Sequence, residues 1–390
     1  MTTHIMPTYA RQGVTFERGE GAWLWDSEGR RYLDALAGIA VCNLGHAHPA
    51  IHEAICRQSQ KLIHTSNLYG VKLQEELAEK LCQFSGMDNV FFCNSGTEAN
   101  EAAIKLARKY GHEQGIEQPV IVTMEKSFHG RTMGALSATG NTKVKQGFSP
   151  LLDGFVHVPY NDMAAIKSVV EANDNIVAIL VEPIQGEGGV NVPDADYLNQ
   201  IRAFCDEHGL LMMLDEIQTG IGRTARFLAY QHNHILPDVC TLAKALGNGV
   251  PIGACMAHGK AADILKAGNH GSTFGGNPLA CSAALAVLDT LHSTQLIADA
   301  ERKGQAICAA IASLTQQNPH IASIRHKGLM IGIELDAPCG ELVGKALKQG
   351  LLINVTADST IRLLPPLSID DEQIDLLTET LSALIQEHTL

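Results

Sequence analysis

The sequence predicts an α/β chain: a large domain on a mostly parallel sheet, followed by a smaller α+β domain. Three observations carry this. Short, continuously apolar runs at 120–124, 177–181 and 210–214 alternate with segments of helical spacing, as strands buried on both faces do. After Pro278 the texture changes to long Ala-rich helical stretches and short alternating runs. At 390 residues, the chain is long enough for two such units.

In chain order, residues 1–45 read as a lead-in that packs with the small domain, with a hairpin around Ser27-Glu-Gly29. The turn Gly45-His-Ala-His-Pro49 leads into helical spacing at 50–62. His46 and His48 lack a third ligand nearby, so they read as part of a turn and no metal is expected. The large domain is expected over 46–280, with helices at 72–82 and 98–110 and strands at 89–93, 120–124, 177–181, 210–214, 240–243 and 253–257. The small domain is expected over 281–390. Its helices fall at 279–291 (starting at the boundary), 305–314, 341–348 and 370–387, and its strands at 328–335, 351–355 and 360–364.

Composition narrows the function. Apolar residues make up 45% and charged residues 18%, as in a soluble globular chain. A formal charge of −13 argues against nucleic acid or an anionic membrane as a general partner. No secretory signal pattern opens the sequence and no apolar run is long enough to span a bilayer. Ten cysteines without a Cys-x-x-Cys pair suggest reduced thiols, hence a cytoplasmic location.

Ligands of such sheets bind at the carboxyl ends of the strands, and Asn94, Asp215 and Lys244 all fall there. Ser95-Gly-Thr97, before a helix, offers N–H groups and hydroxyls to an anion, although the same residues also serve as an ordinary N-cap. Phe128 could stack on a planar ligand, and Arg131 could clamp a carboxylate. Glu182 and Glu187 flank a Gly-rich loop and could orient an arginine or act as acid and base. Thr273 lies in a polar Gly-rich loop, and Arg362 on a short strand before Pro365-Pro366. Gly220-Ile-Gly-Arg-Thr-Ala225 matches a dinucleotide pattern, but Asp215, Glu216 and Gln218 separate it from the strand and break the tight strand–glycine–helix turn.

Lys244 is flanked by Leu242, Ala243, Ala245 and Leu246, where a charged amine loses hydration. It is either a snorkelling residue or a reactive one. Together the pieces match a planar aldehyde cofactor with a pyridine nitrogen and a phosphate. Lys244 would form the Schiff base, Asp215 face the ring nitrogen, Ser95-Gly96-Thr97 cup the phosphate and Phe128 lie flat against the ring.

The same motifs carry a resemblance, together with Glu182-Pro-Ile-Gln-Gly-Glu-Gly-Gly189, Leu214-Asp-Glu-Ile-Gln-Thr-Gly220, Ser272-Thr-Phe-Gly-Gly-Asn-Pro278 and Arg362-Leu-Leu-Pro-Pro366. The chain resembles, essentially end to end, the class III (ornithine-type) pyridoxal-phosphate aminotransferases, and among them those acting on N2-acetylornithine. The resemblance implies a type I aspartate-aminotransferase-like fold and a homodimer with active sites at the subunit interface. It implies pyridoxal 5′-phosphate as cofactor and amino transfer from N2-acetylornithine to 2-oxoglutarate, in arginine biosynthesis. It further implies that Gln218 bonds the ring 3-oxygen and Ile217 packs opposite Phe128. Thr273 reaches the phosphate of the other subunit's site. Arg131 holds the distal carboxylate of 2-oxoglutarate or the α-carboxylate of acetylornithine. Arg362 takes the α-carboxylate of glutamate, Glu187 switches off and on that arginine, and Tyr9 approaches the substrate's far end. Where ornithine-specific members carry a tyrosine, this chain has Ile39. Succinylornithine, N-succinyl-diaminopimelate, 4-aminobutyrate or ornithine remain alternative amino donors. A racemase or mutase with the same cofactor, and a non-catalytic anion-binding protein, are the other readings.

Overall fold

The computed structural model describes residues 4–316 and 318–389 of the 390-residue chain. A seven-stranded sheet runs through its centre. From one edge to the other its strands are Asn89–Cys93, Gly253–Ala257, Val239–Leu242, Leu211–Asp215, Ile176–Val181, Val120–Met124 and Phe155–Val158. Every residue of Ile176–Val181, Leu211–Asp215, Val239–Leu242 and Gly253–Ala257 is buried, which is why these runs are continuously apolar. Gly96–Glu113 covers one face with an alanine-rich stripe (Ala99, Ala102, Ala103, Ala107), whose small side chains let the helix sit close to the strands. Tyr197–His208 packs on Ile176–Val181 and Leu211–Asp215.

The sheet is mostly parallel, as expected, and Gly253–Ala257 is its exception. It runs antiparallel to both neighbours, Asn89–Cys93 and Val239–Leu242. The physical reason is the short connection from Val239–Leu242, which has no crossover helix to return the chain to a parallel start.

Two smaller sheets complete the fold. Phe16–Glu20, Trp23–Asp26 and Arg31–Asp34 form an antiparallel meander, and Leu351–Leu352 joins it in parallel beside Arg31–Asp34. The N-terminal segment is thus hydrogen-bonded to a strand near the C-terminus. Leu364 N–H donating to Ala35 O at 2.7 Å and Leu367 N–H to Asn43 O at 2.7 Å extend that connection. Ile321–Lys327, Met330–Leu335, Thr360–Leu363 and Asn354–Thr356 form the third sheet, all antiparallel. Leu296–Leu314 and Asp371–His388 pack on each other, and Leu296–Leu314 also packs on Ile321–Lys327. Pro278–Ser293 packs on Pro49–Ser59 and Lys72–Ser85.

Several elements go beyond the sequence-based expectation. Phe16–Glu20 has one apolar residue, and Ile321–Lys327 is half-buried and ends in Arg-His-Lys, so neither alternates cleanly. Phe155–Val158 is an edge strand with only Val158 buried. Met163–Glu171 follows Asp162, whose side chain accepts from Ala165 N–H, a helix start that composition alone underweights; Tyr197–His208 follows Asp196 without such a cap. All ten cysteines are free, and no helix among the described residues is long and apolar enough to cross a membrane.

Candidate active site

Five segments leave the sheet at the same end. They follow Asn89–Cys93, Val120–Met124, Ile176–Val181, Leu211–Asp215 and Val239–Leu242, and deliver Ser95, Phe128, Glu182, Asp215 and Lys244 to one cavity of 390 Å³. Gly96, Thr97, Arg131, Glu187, Ile217 and Gln218 line it too, with Val41 and Ile184. This convergence at strand carboxyl ends is what an open α/β sheet offers a ligand.

Lys244 is half-buried and its backbone takes φ of 45°, the left-handed region that a lysine rarely adopts. Burial lowers its pKa from 10.5 to about 8; Glu187 opposes that shift and Arg362 adds to it. A neutral, nucleophilic amine is therefore available near neutral pH.

Asp215 is buried, and its two oxygens differ. Oδ2 accepts from Asn100 Nδ2 at 2.8 Å and lies 2.8 Å from His129 Nδ1. A carboxylate only accepts, so Nδ1 of His129 carries the hydrogen in this contact. Oδ1 accepts only the Ile217 N–H, at 3.1 Å, among the described residues. Asn100 is fixed in turn: Thr241 Oγ1 donates to its Oδ1 at 2.8 Å, and its Nδ2 also donates to the His129 carbonyl at 2.7 Å.

The helix Gly96–Glu113 opens at Ser95, whose side chain accepts from Glu98 N–H. The space around it is tight. A Cβ on Gly96 would stand 2.8 Å from Ile217, and one on Gly130, where φ is +141°, would stand 2.1 Å from Thr97 Oγ1. Thr97 Oγ1 also lies 2.9 Å from Thr132 Oγ1. Phe128 is half-buried, and the Arg131 guanidinium stands 5.7 Å from its ring centre. Arg131 itself is exposed at the cavity wall, free of any carboxylate partner among the described residues.

Glu182 lines the cavity with Lys244 and Asp215 and meets no arginine among the described residues. Its Oε1 accepts from Phe128 N–H at 2.8 Å and its Oε2 from Gly186 N–H at 3.1 Å, so it ties two loops together. Burial raises its pKa to about 7. Glu187 does meet an arginine: its Oε1 accepts from Arg362 Nη1 at 2.6 Å. Burial works against the Glu187 carboxylate, but the Arg362 charge and hydrogen bond outweigh it and hold its pKa below the ordinary value. Arg362 Nη1 also reaches Gln218 Oε1 at 3.3 Å.

Other expected residues lie elsewhere in the chain. Thr273 is exposed on a loop outside this cavity, although Ser272 beside it accepts from Asn94 Nδ2 at 3.0 Å. Tyr9 is 77% exposed and does not line the cavity. Ile39 packs in a small cluster with Ala40, Ile184 and Val190; Val41, two residues on, reaches the cavity instead.

The profile of the aminotransferase class-III family matches residues 6–385. The chain belongs to the class-III aminotransferases. It is a pyridoxal 5′-phosphate-dependent aminotransferase. It is 55% identical over 383 residues to the acetylornithine aminotransferase of Nitrosomonas europaea, covering 98% of both chains. Among solved structures it is similar to the ornithine aminotransferase of Toxoplasma gondii, with a TM-score of 0.95 at 36% identity, covering 99% of this chain and 94% of that one. It is also similar to the N-acetylornithine aminotransferase of Stenotrophomonas maltophilia, with a TM-score of 0.85 at 37% identity and 97% of both chains covered.

The cavity fits the family's cofactor on its own chemistry. It combines an amine of lowered pKa, a buried acid with one oxygen left to the cavity, and N–H groups at a helix start. The places where a Cβ would intrude at Gly96 and Gly130 show a wall shaped for close approach. Sequence reasoning missed His129, Asn100, Thr241 and Asn354 in this aminotransferase. His129 adjoins Phe128 and was legible as part of that motif; Asn100 sits one helical turn past Thr97, facing the sheet, and only the strand order brings it to Asp215.

Proposed function

We propose that this aminotransferase moves the δ-amino group of N2-acetylornithine to 2-oxoglutarate, giving N-acetylglutamate 5-semialdehyde and glutamate. The observation that carries the reading is the Glu187–Arg362 ion pair in a cavity shared with Lys244 and Asp215. Such a pair suits an enzyme that must bind two substrates of different carboxylate geometry in turn. When bound, pyridoxal phosphate supplies an aldehyde for amines and a ring that withdraws electrons from the substrate carbon.

The chain's own residues do the rest. The Lys244 amine would hold the cofactor's aldehyde and would take and return a proton at the substrate carbon bearing the amine. Asp215 would face the ring nitrogen and hold it protonated. Ser95, Gly96 and Thr97 would hold the phosphate, Phe128 and Ile217 the ring, and Gln218 its 3-oxygen. Arg131 takes the α-carboxylate of acetylornithine or the distal carboxylate of 2-oxoglutarate. Arg362 stays paired with Glu187 for the first substrate and takes the α-carboxylate of the second. Tyr9 closes on the far end of the substrate.

The enzyme acts as a cytoplasmic homodimer in this reading, and Thr273 completes the phosphate site of the partner subunit. The chain divides into a segment 1–45 packed with the small domain, a large domain 46–280 and a small domain 281–390. The pairing of Leu351–Leu352 with Arg31–Asp34 supports the first of these. The names of the relatives support the substrate.

The test is kcat/KM across a panel of ω-amines with 2-oxoglutarate fixed: N2-acetylornithine, succinylornithine, N-succinyl-diaminopimelate, ornithine and 4-aminobutyrate. Acetylornithine is expected to lead. A higher value for ornithine or 4-aminobutyrate would overturn the substrate. Lys244→Ala with full turnover would overturn the mechanism.

A further inference from the structure

Arg362 is gripped on two edges by groups of different charge. Nη1 donates to Glu187 Oε1 at 2.6 Å and, more weakly, to Gln218 Oε1 at 3.3 Å. Nε and Nη2 both donate to Asn354 Oδ1, at 3.2 and 2.7 Å. Asn354 and Arg362 face each other directly on antiparallel strands, so the amide reaches the guanidinium across a rigid ladder. The Nε/Nη2 edge is thus filled by one neutral acceptor. The Nη1/Nη2 edge holds Glu187 by one nitrogen, while Nη2 keeps its second hydrogen for the same edge. A carboxylate arriving there after Glu187 leaves would take both nitrogens, the strongest geometry a guanidinium offers.

The mobility needed is divided unequally. The Arg362 side chain is 1% exposed and the Glu187 side chain 32%. The strand Asn354–Thr356 anchors both partners: Asn354 holds the guanidinium, and Thr356 Oγ1 donates to the Glu187 backbone carbonyl. Only the Glu187 side chain is left to swing.

We propose that Asn354 is a positioning residue that pins the Arg362 guanidinium while Glu187 departs, keeping the Nη1/Nη2 edge aimed at the α-carboxylate of the second substrate. This rests on the reading of Arg362 and Glu187 given above. Without the pin, only the long Nη1–Gln218 contact would be left to orient the arginine side chain when its counter-ion leaves. An amide does this without cancelling the charge that the substrate needs; a carboxylate at the same place would be a second counter-ion.

The two half-reactions of the holoenzyme, followed separately by single-turnover absorbance, test this with Asn354→Ala, Asn354→Asp and Arg362→Gln. In Asn354→Ala, half-saturation for 2-oxoglutarate is expected to rise about tenfold, the loss of one to two charge-assisted hydrogen bonds. Half-saturation for the amino donor, bound while Glu187 still holds Arg362, is expected to stay within about twofold. The isosteric Asn354→Asp is expected to weaken 2-oxoglutarate as well. Equal changes in both half-reactions of Asn354→Ala, or an Asp variant indistinguishable from wild type, would overturn the proposal. If Arg362→Gln leaves 2-oxoglutarate half-saturation unchanged, the role of Arg362 itself fails. If Arg362→Gln weakens it but Asn354→Ala does not, only the pin fails.

Discussion

His129 Nδ1 stands 2.8 Å from Asp215 Oδ2, with both side chains buried. Asn100 donates to the same oxygen at 2.8 Å, so Oδ2 is saturated from the protein side and Oδ1 is left to the cavity. The amide cannot be flipped without cost, because Thr241 fills its Oδ1 and a reversed carbonyl would face the Asp215 carboxylate. Asn100→Ala is therefore expected to destabilise the apoprotein by about 2 kcal/mol and to weaken cofactor binding about tenfold or more. Denaturant unfolding and equilibrium dialysis with pyridoxal phosphate measure the two. A change in stability alone would mean that Asn100 does not act through Asp215.

Lys244 gives a pH prediction. Only the unprotonated amine attacks an aldehyde, and burial places its pKa at about 8 rather than 10.5. The rate of aldehyde capture by the apoprotein is expected to rise with pH and level off above about 8. Below that it should fall about tenfold per pH unit. Glu187 pulls the Lys244 pKa upward, so Glu187→Gln is expected to shift the midpoint to lower pH. Stopped-flow absorbance across the pH range reads both. A Glu187→Gln profile displaced to higher pH would contradict the electrostatic assignment.

How far the sequence spoke follows from what each feature depends on. Lys244, Asp215 and the Ser95-Gly96-Thr97 cup were legible because their local neighbours give them meaning: an apolar surround, a strand end, a helix start. The central strands were legible because burial on both faces leaves continuous apolar runs. The direction of Gly253–Ala257 was not, since it depends on a connection length rather than on the strand's own residues. Asn100 and Asn354 were not, because each takes its partner from a strand distant in sequence or across a ladder. The bracing of two loops by Glu182 was not legible, because an acid near a cavity and an acid holding backbone N–H groups look alike before the hydrogen bonds are known.

The cup carries a steric prediction. At Gly130, φ is +141° and a Cβ would stand 2.1 Å from Thr97 Oγ1. Gly130→Ala must either shift the Thr97 hydroxyl or move the loop, at about 1–3 kcal/mol. Cofactor content on purification is expected to fall, and the dissociation constant for pyridoxal phosphate to rise about tenfold or more. Inorganic phosphate should lose its ability to compete with pyridoxal phosphate in the variant. Wild-type affinity would mean that Thr97 does not contact the phosphate.

The turn Gly220-Ile-Gly-Arg-Thr-Ala225, which mimics a dinucleotide motif, has another use. Arg223 is wholly buried, with no carboxylate at ion-pair distance among the described residues, and Asp34 is the acid whose charge it feels. Its Nη1 donates to the carbonyls of Leu329 and Pro365 at 2.9 and 2.6 Å, and its Nη2 to Asn43 Oδ1. It therefore ties the turn at 220–225 to Asn43, to Leu329 and to the loop just after Arg362. Burial lowers its pKa to about 9, so it stays charged at neutral pH, and that buried charge is itself unfavourable. Two effects then oppose each other in Arg223→Met. The charge penalty disappears, but three buried acceptors lose their donor, at about 1–3 kcal/mol each when left unsatisfied. The acceptors outnumber the charge, so a net loss of about 2–4 kcal/mol is expected in denaturant unfolding. Because Pro365 lies just past Arg362, half-saturation for 2-oxoglutarate is expected to rise as well. A Met variant more stable than wild type would mean that the cost of burying the guanidinium exceeds the worth of its hydrogen bonds, and that the tether is kept for geometry alone.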